Sequence, residues 1–507
     1  MDKLFPGWKH PEPRLSPCPA RPENLRYPPM TAPRSLTILG AGPAGYPAAF
    51  LAADLGLPAT LVDSAPALGG TCLHRGCIPS KALLHAARLL ADARAAAALG
   101  LEFAPPVVRL EKLRAWKNGV TDRLAQGLAQ IAKARGVRVV QARASFASPG
   151  QLLFAAPDGS IQPHDFDALL LATGSDPAMP HGFPAGHPHL WDSTAALALP
   201  EIPADLLVVG GGYIGLELGS VYAALGSRVT VVEMTGGLLP GVDRDLIVPL
   251  SKRLRGLFHA IHLNTRVADI SEDPAGLRVT LENAKTGEKR EETFSKALVA
   301  IGRRPHTDSL ALQHAGIVTG ERGFILANPD GRTANPNVYV AGDVAGNPML
   351  AHKATHEARA LVAHLLGREA RLSAHIPAVV FTDPEIAWVG LTEALIAEQG
   401  LPVKISKFPW AASGRAQTLD RADGVTKILA DPGTGKLLGA AIAGPGAGDL
   451  ISEAALALET GATVADLART IHPHPTLSET LGEAAELHEG LCTHLYRPAK
   501  PLRPSGA

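Results

Sequence analysis

Ser35 to Asp63 reads SLTILGAGPAGYPAAFLAADLGLPATLVD. The apolar run Ser35-Leu36-Thr37-Ile38-Leu39 has strand character and flows directly into Gly40-Ala41-Gly42-Pro43-Ala44-Gly45. An alanine-rich helix is expected from there to about Gly56, and Pro47 lies early enough in it that its missing N–H costs little. A second strand, Ala59 to Val62, ends at Asp63, 23 positions after Gly40. Glycines at this spacing allow a tight turn and let a pyrophosphate approach a helix N-terminus. The acid ending the second strand accepts a hydrogen bond from a ribose hydroxyl.

The pattern recurs further along the chain. Leu206 to Val209 reads as a strand, Gly210-Gly211-Gly212-Tyr213-Ile214-Gly215 as the turn, and Leu216 to Leu225 as the helix. Arg228 to Val232 reads as the second strand, and Glu233 follows it, again 23 positions after the first glycine. Two such matches mean two nucleotide cofactors, or one fold duplicated. Glu233 would repel a 2′-phosphate and accept from a free 2′-hydroxyl. No arginine stands among Met234, Thr235, Gly236 and Gly237, and Gly215 keeps the tighter third glycine position. The second turn is therefore expected to prefer NAD over NADP.

Between the first turn and the rest lies Gly69–Leu84, GGTCLHRGCIPSKALL. Cys72 and Cys77 are close enough to form a small ring that is readily reduced and re-formed. Pro79 suits a first helical turn, so Cys77 is expected at a helix N-terminus, where the macrodipole favours a thiolate. Lys81 is four residues on and adds positive charge on the same face.

The chain has 507 residues, with 48 Lys and Arg against 48 Asp and Glu, so its formal net charge is zero. That balance argues against nucleic acid or an anionic membrane as the main partner. No apolar run is long enough to span a bilayer. Only Cys18, Cys72, Cys77 and Cys492 are present, too few for a secreted disulfide scaffold. A reducing, cytoplasmic setting is expected, where a dithiol is more often catalytic than structural. Cys18 and Cys492 are expected to be inert thiols. The proline-rich stretch before Arg34 reads as an extended arm with no signal-peptide character, and Met30 is a candidate start.

A GGTCxxxxCIPSK segment beside two dinucleotide turns resembles the pyridine nucleotide-disulfide oxidoreductases, flavoproteins that work through a redox-active dithiol. Within them the dihydrolipoamide dehydrogenases are most similar, from about Leu36 to about Leu491. Further motifs carry the resemblance: LLLATGS (169–175), LVAIGRRP (298–305), VYVAGD (338–343), MLAH (349–352), TDPE (382–385) and HPHPTLSE (472–479).

The resemblance implies an α/β fold with two Rossmann-like domains, for FAD and for NAD, and a C-terminal α+β dimerisation domain. Its divisions would be an extension at 1–33, the FAD-binding part at 34–178, the NAD-binding domain at 179–298, a return segment at 299–368, the interface domain at 369–491 and a tail at 492–507. FAD would be held by Gly40, Gly42, Gly45, Asp63, Gly70, Thr71, Lys81, Ala144, Thr173, Gly174, Ser175, Asp343, Met349, Leu350, Ala351 and His352. NAD would meet Gly210, Gly212, Tyr213, Gly215, Glu217, Glu233 and Gly302.

Catalysis would rest on Cys72 facing the substrate, Cys77 facing the flavin, a Lys81–Glu217 ion pair, and His474 as acid–base oriented by Glu479. His474 would complete the site of a second copy, so the working unit would be a homodimer. His472 reads as a packing or surface histidine. The implied reaction is oxidation of protein-bound dihydrolipoamide with reduction of NAD⁺. The implied partner is a lipoyl-bearing acyltransferase or an H-protein-like carrier, and no metal is expected.

Related activities fit less well. Glutathione reduction calls for arginines after the second turn, mercuric reduction for a C-terminal vicinal cysteine pair, and transhydrogenases of this fold lack one cysteine. A non-catalytic scaffold would not need Cys72, Cys77, His474 and Glu479 together. Within the ring, His74 and Arg75 depart from the family's usual pattern.

Overall fold

The computed structural model describes residues 33–496 except 181, 184, 185, 275 and 371. The proline-rich arm with Cys18, and the end of the tail, lie outside the described residues. The chain divides into two compact units, one of residues 1–203 with 295–374 and one of 204–294 with 375–507.

The first unit is built on a five-stranded sheet in the order Val338–Val340, Ala168–Leu171, Leu36–Leu39, Ala59–Asp63, Arg138–Gln141. All its pairings are parallel. Apart from the exposed edge strand Arg138–Gln141, its strands are apolar almost without interruption because both faces are covered. Leu36, Ile38, Leu61, Ala168 and Leu170 turn to one face, against Ala48, Ala49 and Ala52 of helix Gly45–Asp54 and Ala358, Leu361 and Val362 of helix Ala351–Leu365. Leu39, Val62, Leu169 and Leu171 turn to the other, where they meet Phe146, Leu152 and Phe154. Those three come from an antiparallel sheet of Arg143–Ser148, Gln151–Ala155 and Ile161–Asp165. The alternation along each strand is the two-residue period of the pleat made visible.

In the second unit Asp205–Val209, Arg228–Glu233 and Ala260–Leu263 run parallel with Arg228–Glu233 in the middle. Helix Tyr213–Leu225 leaves the glycine turn, and helix Arg244–Leu257 follows the central strand. The C-terminal part is a five-stranded antiparallel sheet in the order Ala378–Val380, Ile386–Gly390, Leu437–Ala443, Val425–Ala430, Lys404–Pro409. Its core joins Trp410, Phe408 and Ile442 to Ile451 and Ala454 of helix Ala447–Thr460 and Leu481 and Ala485 of helix Glu479–Glu489. Among the described residues no helix is long and apolar enough to cross a membrane.

Candidate active site

The first glycine turn is shaped by two close approaches. A Cβ on Gly45 would lie 1.7 Å from the Gly40 carbonyl oxygen, so the helix starts against the strand end only because no side chain intervenes. A Cβ on Gly70 would lie 2.5 Å from the Gly42 Cα, so the dithiol segment rests directly on the turn. Gly69 N–H also donates to the Ala41 carbonyl at 2.8 Å. Asp63 closes the turn: Oδ2 accepts from Ala41 N–H at 2.6 Å and Oδ1 from Ala65 N–H at 2.8 Å. Each oxygen keeps a lone pair for a ribose hydroxyl. A cradle with no room for side chains, ending at a helix N-terminus and an acid, fits a dinucleotide.

Other residues expected near the flavin gather in the same unit. Ser175 Oγ donates to Asp343 Oδ2 at 2.5 Å, and Arg303 Nε donates to that hydroxyl at 2.7 Å. Gly342 N–H donates to Glu357 at 2.9 Å, and Lys353 pairs with the same carboxylate at 2.9 Å. Thr355 Oγ1 donates to the Pro43 carbonyl at 2.7 Å, tying the helix after Met349-Leu350 to the first turn. Thr173 Oγ1 donates to the His306 carbonyl at 2.8 Å, with Gly174 beside it at φ +74°. Ala144 sits on strand Arg143–Ser148, half-buried, and His352 is exposed on helix Ala351–Leu365.

The dithiol spans two helices. Cys72 lies on the short helix Gly70–Arg75, and helix Cys77–Ala95 begins at the second cysteine. The ring itself is thus largely helical, which the spacing alone does not reveal. Both cysteines are thiols in this structure, Cys77 exposed and Cys72 less so. A hydrogen bond with the Cys77 thiol, then burial, pushes the Cys72 thiol well up, while the Cys77 backbone N–H and the Lys81 charge pull it down. Lys81 is half-buried on the same helix as Cys77. Of the unusual ring pair, His74 is tied inward to the Leu68 carbonyl at 2.8 Å, and Arg75 is exposed. Tyr46, which no sequence pattern singles out, is close enough to feel Cys72. Burial first, and then Cys72, raises its hydroxyl pKa.

The second turn repeats the first almost atom for atom. Glu233 Oε2 accepts from Gly211 N–H at 2.7 Å and Oε1 from Thr235 N–H at 2.7 Å. A Cβ on Gly215 would lie 2.2 Å from the Gly210 carbonyl oxygen. Tyr213 opens the following helix and is 41% exposed. Glu217 is buried one turn on and accepts from Phe381 N–H at 3.0 Å. Glu217 belongs to the second unit and Lys81 to the first; Gly302 likewise belongs to the first unit and the other residues of the expected NAD set to the second.

In the second unit His474 Nδ1 lies 2.8 Å from Glu479 Oε1, and Glu479 Oε2 accepts from Thr476 N–H at 2.7 Å. Burial pushes the Glu479 carboxyl up, but the Thr476 N–H and the His474 bond outweigh it, and its pKa is lowered. The His474 side chain is 73% exposed, so Nε2 is presented outward. His472 turns the other way. It packs against Gly482 with little of its side chain exposed and lies 2.9 Å from Glu453, which makes it a packing histidine rather than a surface one.

Comparison with known proteins identifies the family. Residues 34–358 match the family model described as pyridine nucleotide-disulphide oxidoreductase. Residues 376–485 match that family's dimerisation domain, which supports a homodimer. A dihydrolipoyl dehydrogenase of Vibrio cholerae serotype O1 is 42% identical over 461 residues, covering 91% of this chain and 96% of the relative. One from Thermus scotoductus is 45% identical over 456 residues, covering 90% and 97%. The crystal structure of LpdA from Mycobacterium tuberculosis superposes with a TM-score of 0.83 at 29% identity, covering 89% of this chain and 99% of that one. The HOCl-induced flavoprotein disulfide reductase RclA of Escherichia coli superposes with a TM-score of 0.79 at 28% identity, covering 89% and 99%. The chain belongs to the pyridine nucleotide-disulphide oxidoreductase family.

Proposed function

We propose that the chain is a dihydrolipoyl dehydrogenase, oxidising protein-bound dihydrolipoamide and reducing NAD⁺. The observation that carries this reading is identity of 42% to such an enzyme across 91% of the chain, with the dithiol and the His474–Glu479 pair both present. Its cofactors are FAD, at the first turn, and NAD, at the second. The flavin, when bound, supplies a two-electron relay between dithiol and pyridine nucleotide. Gly40, Gly42, Gly45 and Asp63 hold its dinucleotide part, with Ser175 and Asp343 at the second flavin motif. Gly210, Gly215 and Glu233 hold NAD, and the acid selects against a 2′-phosphate.

The chain's own residues manage protons and sulfur. In the oxidised form Cys72 and Cys77 are joined. His474 Nε2, its tautomer set by Glu479 at Nδ1, accepts a proton from one thiol of dihydrolipoamide. The resulting thiolate attacks Cys72 Sγ, forming a mixed disulfide and releasing Cys77 as a thiolate. The second substrate thiol then displaces Cys72 and closes the lipoyl ring, its proton passing to the departing Cys72 sulfur, which leaves the ring oxidised, Cys72 a thiol, Cys77 a thiolate and His474 protonated. Lys81 favours the anionic sulfurs by its charge. His474 acts on the site of a partner copy, as expected where the base sits on the dimerisation domain. The 34–178 and 299–368 segments serve FAD, 179–298 serves NAD, and 369–491 forms the dimer. The carrier is a lipoyl-bearing acyltransferase or an H-protein-like protein.

Purified protein should carry FAD and reduce NAD⁺ with dihydrolipoamide. Cys72→Ser should abolish that turnover and keep the flavin. Turnover unchanged in Cys72→Ser would reject the sulfur assignment.

A further inference from the structure

Lys427 is charged, central in strand Val425–Ala430, and fully buried. Its ammonium lies 2.6 Å from Asp243 Oδ2, 2.9 Å from Asp245 Oδ1 and 2.9 Å from Glu393 Oε1. The carboxylate oxygens of those three acids lie within 4.8 Å of one another, and Lys407 reaches Asp245 and Glu393 from the solvent side. Burial would lower the Lys427 pKa, but its bonds to Asp243, Glu393 and Asp245 outweigh that and raise it. A buried ammonium is held here because three acids need it, and the acids tolerate one another because it is there.

What the cluster grips is the loop beneath the second glycine turn. Leu239 N–H donates to the Gly211 carbonyl at 2.9 Å, and a Cβ on Gly211 would lie 2.8 Å from Leu238 Cδ2. The loop therefore sets where Gly211 sits, and Gly211 N–H is one of the two groups that orient Glu233. Inside the loop, Arg244 donates to the carbonyls of Leu238 at 3.0 Å, Leu239 at 2.8 Å and Val242 at 2.7 Å. The loop ends at Asp243, which also accepts from Glu393 N–H at 3.1 Å. A continuous set of contacts thus runs from Lys427, through Asp243 and the Leu238–Val242 loop, to Gly211 and Glu233.

We infer that Lys427 is a positioning residue for the pyridine nucleotide, holding the second glycine turn in its binding geometry from the antiparallel sheet. It touches no substrate and acts through Asp243. The inference rests on reading the second turn as the NAD site.

Its test is a direct titration of NADH into FAD-loaded protein, with dihydrolipoamide kinetics alongside. Lys427→Met should weaken NADH binding and raise KM for NAD⁺ by about tenfold or more, with KM for dihydrolipoamide and flavin content unchanged, because preorganisation is lost only at the second turn. Lys427→Arg should restore much of the affinity. Asp245→Asn keeps the Lys427–Asp243 bond and should give a smaller shift in the same direction, a second route if Lys427→Met does not fold. If Lys427→Met binds NADH as tightly as the parent, the inference falls. It falls equally if Lys427→Met and Asp245→Asn both lose flavin and both KM values change together, which marks a merely structural role. If the parent itself does not bind NADH, the NAD-site reading fails instead.

Discussion

His474 Nδ1 and Glu479 Oε1 stand 2.8 Å apart across a single turn of chain, with the carboxylate also accepting the Thr476 N–H. The carboxylate thereby leaves Nε2 as the free base at an exposed position. His474→Gln should lower dihydrolipoamide turnover by roughly 10²–10⁴-fold, the usual worth of a general base. NADH oxidation by an artificial dye acceptor bypasses the thiol chemistry and should hold within a factor of about two. Equal loss in both assays would rule out the assigned role.

His472 offers a pH signature. Its bond to Glu453 is the main reason its pKa is raised, with burial opposing. A base whose folded pKa lies above its unfolded value contributes stability below the unfolded pKa, and loses it as pH rises through the folded pKa. The 471–478 loop should therefore loosen as pH climbs above about 6.5. Hydrogen exchange at Thr476 N–H, corrected for its intrinsic pH dependence, should report this as falling protection. His472→Gln should remove the slope, and an unchanged slope would move the effect to another group.

Cys492 should be the slow thiol. Burial, followed by its bond to Glu483, pushes it up to about 11. At about pH 8 only ~10⁻³ of it is thiolate, so alkylation should lag well behind an ordinary exposed cysteine. Glu483→Gln should speed its labelling, as read by peptide mass spectrometry. Rapid labelling of Cys492 in the parent protein would contradict this.

The two glycine turns should be separable by one methyl group each. In Gly45→Ala the new Cβ meets the Gly40 carbonyl oxygen at 1.7 Å, and the protein should be recovered without flavin. In Gly215→Ala the corresponding distance is 2.2 Å to Gly210, and flavin should remain while NADH affinity falls. Flavin absorbance and NADH titration distinguish the outcomes, and loss of flavin from Gly215→Ala would contradict the separation.

Much of this was legible in the chain because it is local. A strand, a glycine turn, a helix and an acid 23 residues on are a short-range pattern, and the parallel strands formed where the apolar runs predicted. The helix start at Cys77 was legible for the same reason. The hidden features are non-local. Lys427 and Asp243 are 184 residues apart and meet only once the antiparallel sheet is built. His472 reads as a packing or surface residue because nothing nearby in sequence announces Glu453, 19 residues back on helix Ala447–Thr460. Helix Gly70–Arg75 escaped notice because glycines flank it on both sides, and its support comes from Gly42.

Asp63 and Glu233 each spend both carboxylate oxygens on backbone N–H groups of their own turns. Their orientation is therefore settled when the protein folds, not when a nucleotide arrives. For a coenzyme that must enter and leave in every catalytic cycle this has a kinetic meaning. On the proposed assignment, exchange of NAD at the second turn requires no rebuilding of its floor, so residence time there reflects the contacts to the nucleotide and whatever keeps that floor in place. The same duplicated device can hold one nucleotide for the life of the protein and release the other on every cycle.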